Sequence, residues 1–95
     1  MGGNKQGDDN KDTLLEFPVD FPIKAMGRDN AEFRAVVKEI VARHASFDDT
    51  KDVREQQSSN GNFISITITF EATSKAQLDT IYQSLYDHEL VLMIF

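Results

Sequence analysis

Cysteine is missing from all 95 residues, so the chain can hold neither a disulfide framework nor a thiolate metal site, and it has no thiol nucleophile. That absence fits a reducing compartment. No run approaches the roughly 20 apolar residues that a membrane-spanning helix needs, and the polar start of the chain has no signal-peptide core. Met1-Gly2 opens an acylation pattern, but Gln6 stands where Ser or Thr is required. Together these gaps predict a cytoplasmic protein with no membrane partner. A basic excess is lacking too: ten Lys and Arg face sixteen Asp and Glu, for a formal charge of −6. Two lysines and three aspartates leave residues 1–13 at −1 and the remainder at −5. Nonspecific nucleic-acid binding is driven by counterion release from Lys and Arg contacts, so the sequence predicts no nucleic-acid partner.

What is present is an ordered set of hydrophobic rhythms. Residues 1–13 contain no large apolar group beyond Met1, which predicts a disordered tail, and a single domain is expected over residues 14–95. Leu14 and Leu15 can anchor it, and Phe17-Pro18 and Phe21-Pro22 hold the lead-in extended, because the residue before proline disfavours the α region. A first strand is predicted over residues 21–26, with Phe21, Ile23 and Ala25 inward and Pro22, Lys24 and Met26 outward. Gly27 marks a turn, and Asp29 or Asn30 can cap a helix over residues 33–44, whose stripe is Phe33, Val36, Val37, Ile40, Val41 and His44.

An almost wholly polar edge strand is expected over residues 50–58, then a hairpin at Asn60-Gly61, a dipeptide suited to positive φ. The strand over residues 63–72 is the plainest signal: Ile64, Ile66, Ile68 and Phe70 alternate with Ser65, Thr67, Thr69 and Glu71. Ser74 with Gln77 is a capping-box pattern ahead of the helical stripe Leu78, Ile81, Tyr82 and Leu85. Residues 90–95 contain no polar side chain. The order βαββαβ predicts an α+β, ferredoxin-like two-layer sandwich: a four-stranded antiparallel sheet with two helices on one face.

Candidate sites are few. An edge strand apolar on both faces invites a partner surface, so Met26, Val91, Met93 and Phe95 form a candidate interface for a homodimer; equally, the final run can pack under Leu14, Leu15 and Phe17. The strand-to-helix turn offers free amides and the positive end of a helix dipole to a carboxylate or phosphate. This makes Lys24, Gly27, Arg28, Asp29 and Asn30 a candidate ligand site, against the plainer reading of a capped turn with two surface cations. Neither lone histidine stands in a nucleophile–base pattern, and Asp8-Asn10-Asp12 and Asp48-Asp49-Asp52 lack the glycine and closing glutamate of a calcium loop. No metal, cofactor or catalytic residue is expected. The RNA-recognition motif shares the element order but stacks bases on paired aromatics. Phe63 is the single aromatic expected on the equivalent face.

The elements Glu16-Phe17-Pro18, Phe21-Pro22-Ile23-Lys24 and Met26-Gly27 resemble the YbeD-like family of small bacterial proteins. So do Arg43-His44, Gly61-Asn62-Phe63 with Ser65 and Thr67, Ile81-Tyr82 and Val91-Leu92-Met93. Phe63 stands where the family commonly carries Tyr. The resemblance implies a fold similar to ACT-type regulatory domains, which associate side by side and hold a small effector near the first strand-to-helix turn. By position that turn is Gly27 and its neighbours. The resemblance brings no established activity. The expected function is a non-enzymatic, ACT-like binding or regulatory module that senses a small-molecule effector or acts on a protein partner. The alternative is a protein-interaction adaptor with no small ligand.

Overall fold

The computed structural model describes residues 15–95. The expectations for the tail over residues 1–13, for Leu14 and for Asp8-Asn10-Asp12 lie outside the described residues.

Period-two alternation builds the centre of the molecule. Strand β1 (Val19–Arg28) and strand β3 (Phe63–Ala72) pair antiparallel along their whole length, from Val19 opposite Ala72 to Arg28 opposite Phe63. This register sets Ile23 beside Ile68 and Ala25 beside Ile66 on one face. Ile64, Ile66, Ile68 and Phe70 are at most 2% exposed, as the alternation predicts. Strand β2 (Val53–Gln57) joins the far edge of β3, and the two-residue β4 (Met93–Ile94) joins β1, giving the order β2-β3-β1-β4.

Helices α1 (Ala31–Ala42) and α2 (Lys75–Asp87) lie on the isoleucine face. They bury Phe33, Val37, Ile40 and Val41 from one stripe and Leu78, Ile81 and Leu85 from the other. Each such side chain contributes about 1.5–3 kcal/mol by leaving water. Among the described residues no polar or charged side chain is buried, so the core is wholly apolar. The arrangement is the ferredoxin-like two-layer sandwich that the element order predicts.

Several boundaries depart from the sequence reading, each for a local reason. β1 continues past Met26 because Gly27 and Arg28 still pair with Ile64 and Phe63; Gly27 is therefore a buried strand residue and not a turn. The turn proper is Asp29-Asn30. Asn30 is the cap of α1, its Oδ1 accepting from the Phe33 amide at 2.7 Å, so the helix starts two residues earlier than its first large apolar side chain. β2 is shorter than residues 50–58 because Asp48 folds the preceding chain into a turn, accepting from the Thr50 and Lys51 amides.

The β2–β3 hairpin is not a two-residue turn. Gly61 alone has positive φ, at 77°, and the loop closes through Ser58 and Phe63, with the Ser58 amide donating to the Phe63 carbonyl at 2.9 Å. At α2 the Gln77 amide donates to Ser74 Oγ at 3.0 Å, but the returning bond of the capping box is displaced: Gln77 Oε1 accepts from the Thr73 amide, one residue earlier. The same side chain donates through Nε2 to the His44 carbonyl at 2.7 Å, tying the start of α2 to the end of α1.

Pro22 interrupts no ladder bond. The Lys24 and Met26 carbonyls accept from the Phe95 and Leu92 amides, so even-numbered residues of β1 turn their polar groups towards β4, which reaches no further than Lys24. The missing Pro22 N–H thus faces an uncovered edge. The Phe17–Pro18 peptide bond is cis.

Candidate functional site

The five residues expected at the strand-to-helix turn do not converge on one ligand. Gly27 faces inward, beneath the Phe33 ring and the Leu90 carbonyl, where a Cβ would stand 2.5 and 2.7 Å from them. It is a packing residue: only a side chain of hydrogen lets the ring lie on the strand. Asn30 spends its side-chain oxygen on the Phe33 amide. Asp29 is engaged on both oxygens, by Arg34 Nη2 at 2.5 Å and by Gln57 Nε2. The Gln57 hydrogen bond above all, and then Arg34, hold the Asp29 carboxyl below its ordinary value of 3.8. Arg34 also reaches Glu55 at 3.3 Å, so one guanidinium joins α1 to both the turn and β2. A cavity of about 140 Å³ does lie at this turn, lined by Arg28, Asn30, Phe33, Glu89, Leu90 and Leu92. Its only cation is Arg28, and Glu89 stands in the same wall.

Lys24 stands away from the turn, and by register both it and Arg28, which also borders the cavity, lie on the sheet face that carries no helix. Cross-strand partners share a face, so the register defines its rows. Arg54, Thr67 and Lys24 make one row, closed by Phe95, whose amide donates to the Lys24 carbonyl. Gln56, Ser65, Met26 and Met93 make the next, and Phe63 with Arg28 the third. Lys24 Nζ stands 5.0 Å from the centre of the Phe95 ring and the Arg28 guanidinium 5.4 Å from that of Phe63, within cation–π range. A shallow hollow of about 220 Å³ runs between Lys24, Met26, Gln56, Phe63 and Ser65. Met93 and Phe95 are 50% and 56% exposed.

The candidate interface residues Met26, Met93 and Phe95 therefore meet on one face. Val91 does not join them: it is half-buried against the core side, with Leu90 and Ile94. Leu15 and Phe17 lie instead along α2, near Leu78 and Tyr82.

Charge on the described surface is unevenly paired. Arg34, Lys38, Arg43, Lys51 and Lys75 each stand within 4.0 Å of a carboxylate, in bridges at or near the surface. Of the described Lys and Arg, that leaves Lys24, Arg28 and Arg54 outside any ion pair, and the register places all three on the open face. The sequence reading found Lys24 and Arg28 but missed Arg54. The signal lay in the pairing of β2 with β3.

The remaining titratable candidates have structural duties. His88 Nδ1 accepts from the Leu90 amide at 3.1 Å and so shapes the exit from α2. Asp48 accepts from the Thr50 hydroxyl and from the Thr50 and Lys51 amides, and its carboxyl is lowered chiefly by the hydroxyl bond. Among the described residues no three of His, Asp and Glu stand close enough to hold a metal ion. No helix among them is long and apolar enough to cross a membrane.

Known proteins place this architecture in a family. Residues 12–95 match the family model described as "Protein of unknown function (DUF493)". A UPF0250 protein of Nitrosomonas europaea is 45% identical over 85 residues, covering 88% of this chain and 97% of its own length. One from Chromobacterium violaceum is 44% identical over 86 residues, with 90% and 97% covered, and one from Bordetella pertussis 37% over 84, with 88% and 92% covered. The solution structure of Protein HP0495 from H. pylori superimposes with a TM-score of 0.66 over 85% of both chains at 15% identity, a likeness of fold. On this breadth of match the chain belongs to the DUF493 family of bacterial UPF0250 proteins, the YbeD-like group that its Phe17-Pro18 and Phe21-Pro22 elements resemble.

Proposed function

We propose that this chain is a non-enzymatic binding module that receives a protein partner on the open face of its sheet. One observation carries the reading: Met26, Phe63, Met93 and Phe95 remain exposed or half-exposed on a face that no described element covers. An antiparallel sheet can leave one face to water, but exposed apolar side chains gathered on such a face mark a docking surface.

The partner is a different protein and not a second copy. A two-fold axis through this face would stack two sheets about 10 Å apart and lay one face bearing three unpaired cations on another. An isologous contact repeats every unpaired charge.

The 140 Å³ cavity beside Arg28 and the start of α1 supports a second reading, a regulatory module of ACT type that senses a small carboxylate. Asp29 and Glu89 weigh against an anion there, and the module would have to regulate a separate protein.

The two readings separate in a pair of measurements. Affinity capture from bacterial extract with the wild type, with Met93→Asp and with the helix-face control Ala35→Asp is expected to yield a protein retained by the first and third and lost by the second. Thermal shift against a panel of amino acids and small carboxylates is expected to show no stabilisation. A stabilising metabolite whose effect vanishes in Arg28→Ala, with no capture that depends on Met93, would replace the docking reading with the effector one.

A further inference from the structure

We infer that the partner docked on the open sheet face presents an acidic, apolar-bearing segment, whose carboxylates meet Lys24, Arg28 and Arg54 while its apolar side chains cover Met26 and Met93. The inference rests on the docking reading above and adds the partner's chemistry.

Charge complementarity is its basis. In a chain of formal charge −6, every described Lys and Arg away from this face stands beside a carboxylate, and the three that do not are gathered on it. The only side-chain acids the ladder adds to it, Asp20 and Glu71, stand opposite each other at its far end, four residues from Lys24 and Thr67. The centre is left with three cations and no side-chain carboxylate in the rows between them. At physiological salt the screening length is about 8 Å, so a docked segment feels the cations beneath it much more than the acids of the helix layer.

Spacing narrows the occupant. Lys24 and Arg54 are separated by β3, about 10 Å at the usual strand spacing, and Lys24 and Arg28 by four residues of one strand, about 13 Å. Acidic side chains four apart on an extended segment span the same 13 Å, with apolar positions left between them to reach Met26 and Met93. Hydroxyls of Ser65 and Thr67 line the floor between the cations and can donate to the same carboxylates.

A nucleic-acid strand fits less well. Its affinity depends on how many phosphates Lys and Arg neutralise, and this face offers three cations. Base stacking needs free rings, and the Phe63 and Phe95 rings are each covered by a cation.

The test uses the full chain and four fluorescent probes: a peptide alternating Glu with Leu, the same peptide with Ser for Glu, the same with Lys for Glu, and a single-stranded RNA oligonucleotide. Binding is followed by anisotropy with the wild type and with Lys24→Glu, Arg54→Glu and Met93→Asp, after circular dichroism has shown each variant folded. The Glu–Leu peptide is expected to bind the wild type, to weaken about tenfold in Lys24→Glu and in Arg54→Glu, to weaken in Met93→Asp, and to be released by added salt. The Lys–Leu peptide is expected not to bind. If the Ser–Leu peptide binds equally tightly and only Met93→Asp matters, the acidic chemistry is wrong and the docking face survives. If RNA binds more tightly than the Glu–Leu peptide, or no peptide binding depends on Lys24, Arg54 or Met93, both the chemistry and the docking reading fall.

Discussion

Gly27→Ala tests whether the glycine of the strand-to-helix segment is there for packing. A Cβ at this position would stand 2.5 Å from Cδ1 and Cε1 of Phe33 and 2.7 Å from the Leu90 carbonyl oxygen. Ordinary carbon contacts lie at about 3.5–4.0 Å, so the neighbours must retreat by roughly an ångström. Neither can do so freely. The Phe33 ring is fully buried and sits on the first turn of α1, fixed by the Asn30 cap; Leu90 follows a turn held by the bond from its amide to His88. Forcing an extra methyl into such a core costs about 1–3 kcal/mol, of which some 0.5–1 kcal/mol is returned because alanine is less flexible than glycine in a strand. The difference spans about 0–2.5 kcal/mol, and because both neighbours are fixed its upper part, about 1–2 kcal/mol, is expected, equivalent to a fall in melting temperature of roughly 5–15 °C for a domain of this size. Denaturant titration of Gly27→Ala, of Phe33→Leu and of the double variant measures it. The smaller Leu side chain relieves the clash, so the double variant is expected to be more stable than the sum of the singles, by a coupling of about 0.5 kcal/mol or more. Gly27→Ala within about 0.5 kcal/mol of the wild type, or strict additivity, would refute the packing argument and return Gly27 to a purely functional role.

Three further outcomes follow from the same geometry. Asn30→Ala removes the acceptor of the Phe33 amide and is expected to lose about 1 kcal/mol in urea unfolding, whereas Asn30→Asp retains it. Gly61→Ala creates no contact within 4 Å but forces an L-residue to φ 77°, so about 1–2 kcal/mol is lost to backbone strain alone, with an unchanged fold by circular dichroism. Asp29 has a folded-state carboxyl below 3.8, so its stabilising effect is complete above that value and disappears as pH falls through the lower folded value. Thermal unfolding of the wild type and Asp29→Asn is therefore expected to differ at neutral pH and to converge in strong acid; a constant difference at all pH values would show that the bonds from Gln57 and Arg34 do not favour the charged form.

The layer structure was legible because it depends on periodicity. The alternation of residues 63–70 and the spacing of Phe33, Val37, Ile40 and Val41 state which faces are buried, and the sheet order follows from their sequence. What the sequence concealed depends on partners far along the chain. Gly27 carries the local mark of a turn former, while its actual constraint comes from a ring six residues later and a carbonyl beyond α2. Asp29 read as a cap or ligand group; its partner Gln57 lies 28 residues away across a hairpin. Arg54 sat in a strand with a single large apolar residue, so nothing in the sequence fixed its register, and a slip of one residue would have turned it to the other face. The cationic rows of the open sheet appear only once β2 is paired. Lys24 and Met26, by contrast, were visible as the outward set of β1, and Met93 as part of a run without polar side chains that could dock a partner or pack inward; the structure leaves it half exposed.

The open sheet face is most directly tested by backbone amide chemical-shift mapping of the labelled full chain titrated with the Glu–Leu peptide. Perturbations confined to Lys24, Met26, Arg54, Phe63, Ser65 and Met93, with the outer faces of α1 and α2 silent, are the predicted result. Shifts centred on the helices, or on Asn30, Glu89 and Leu92 around the small cavity with the sheet face unmoved, would contradict the account.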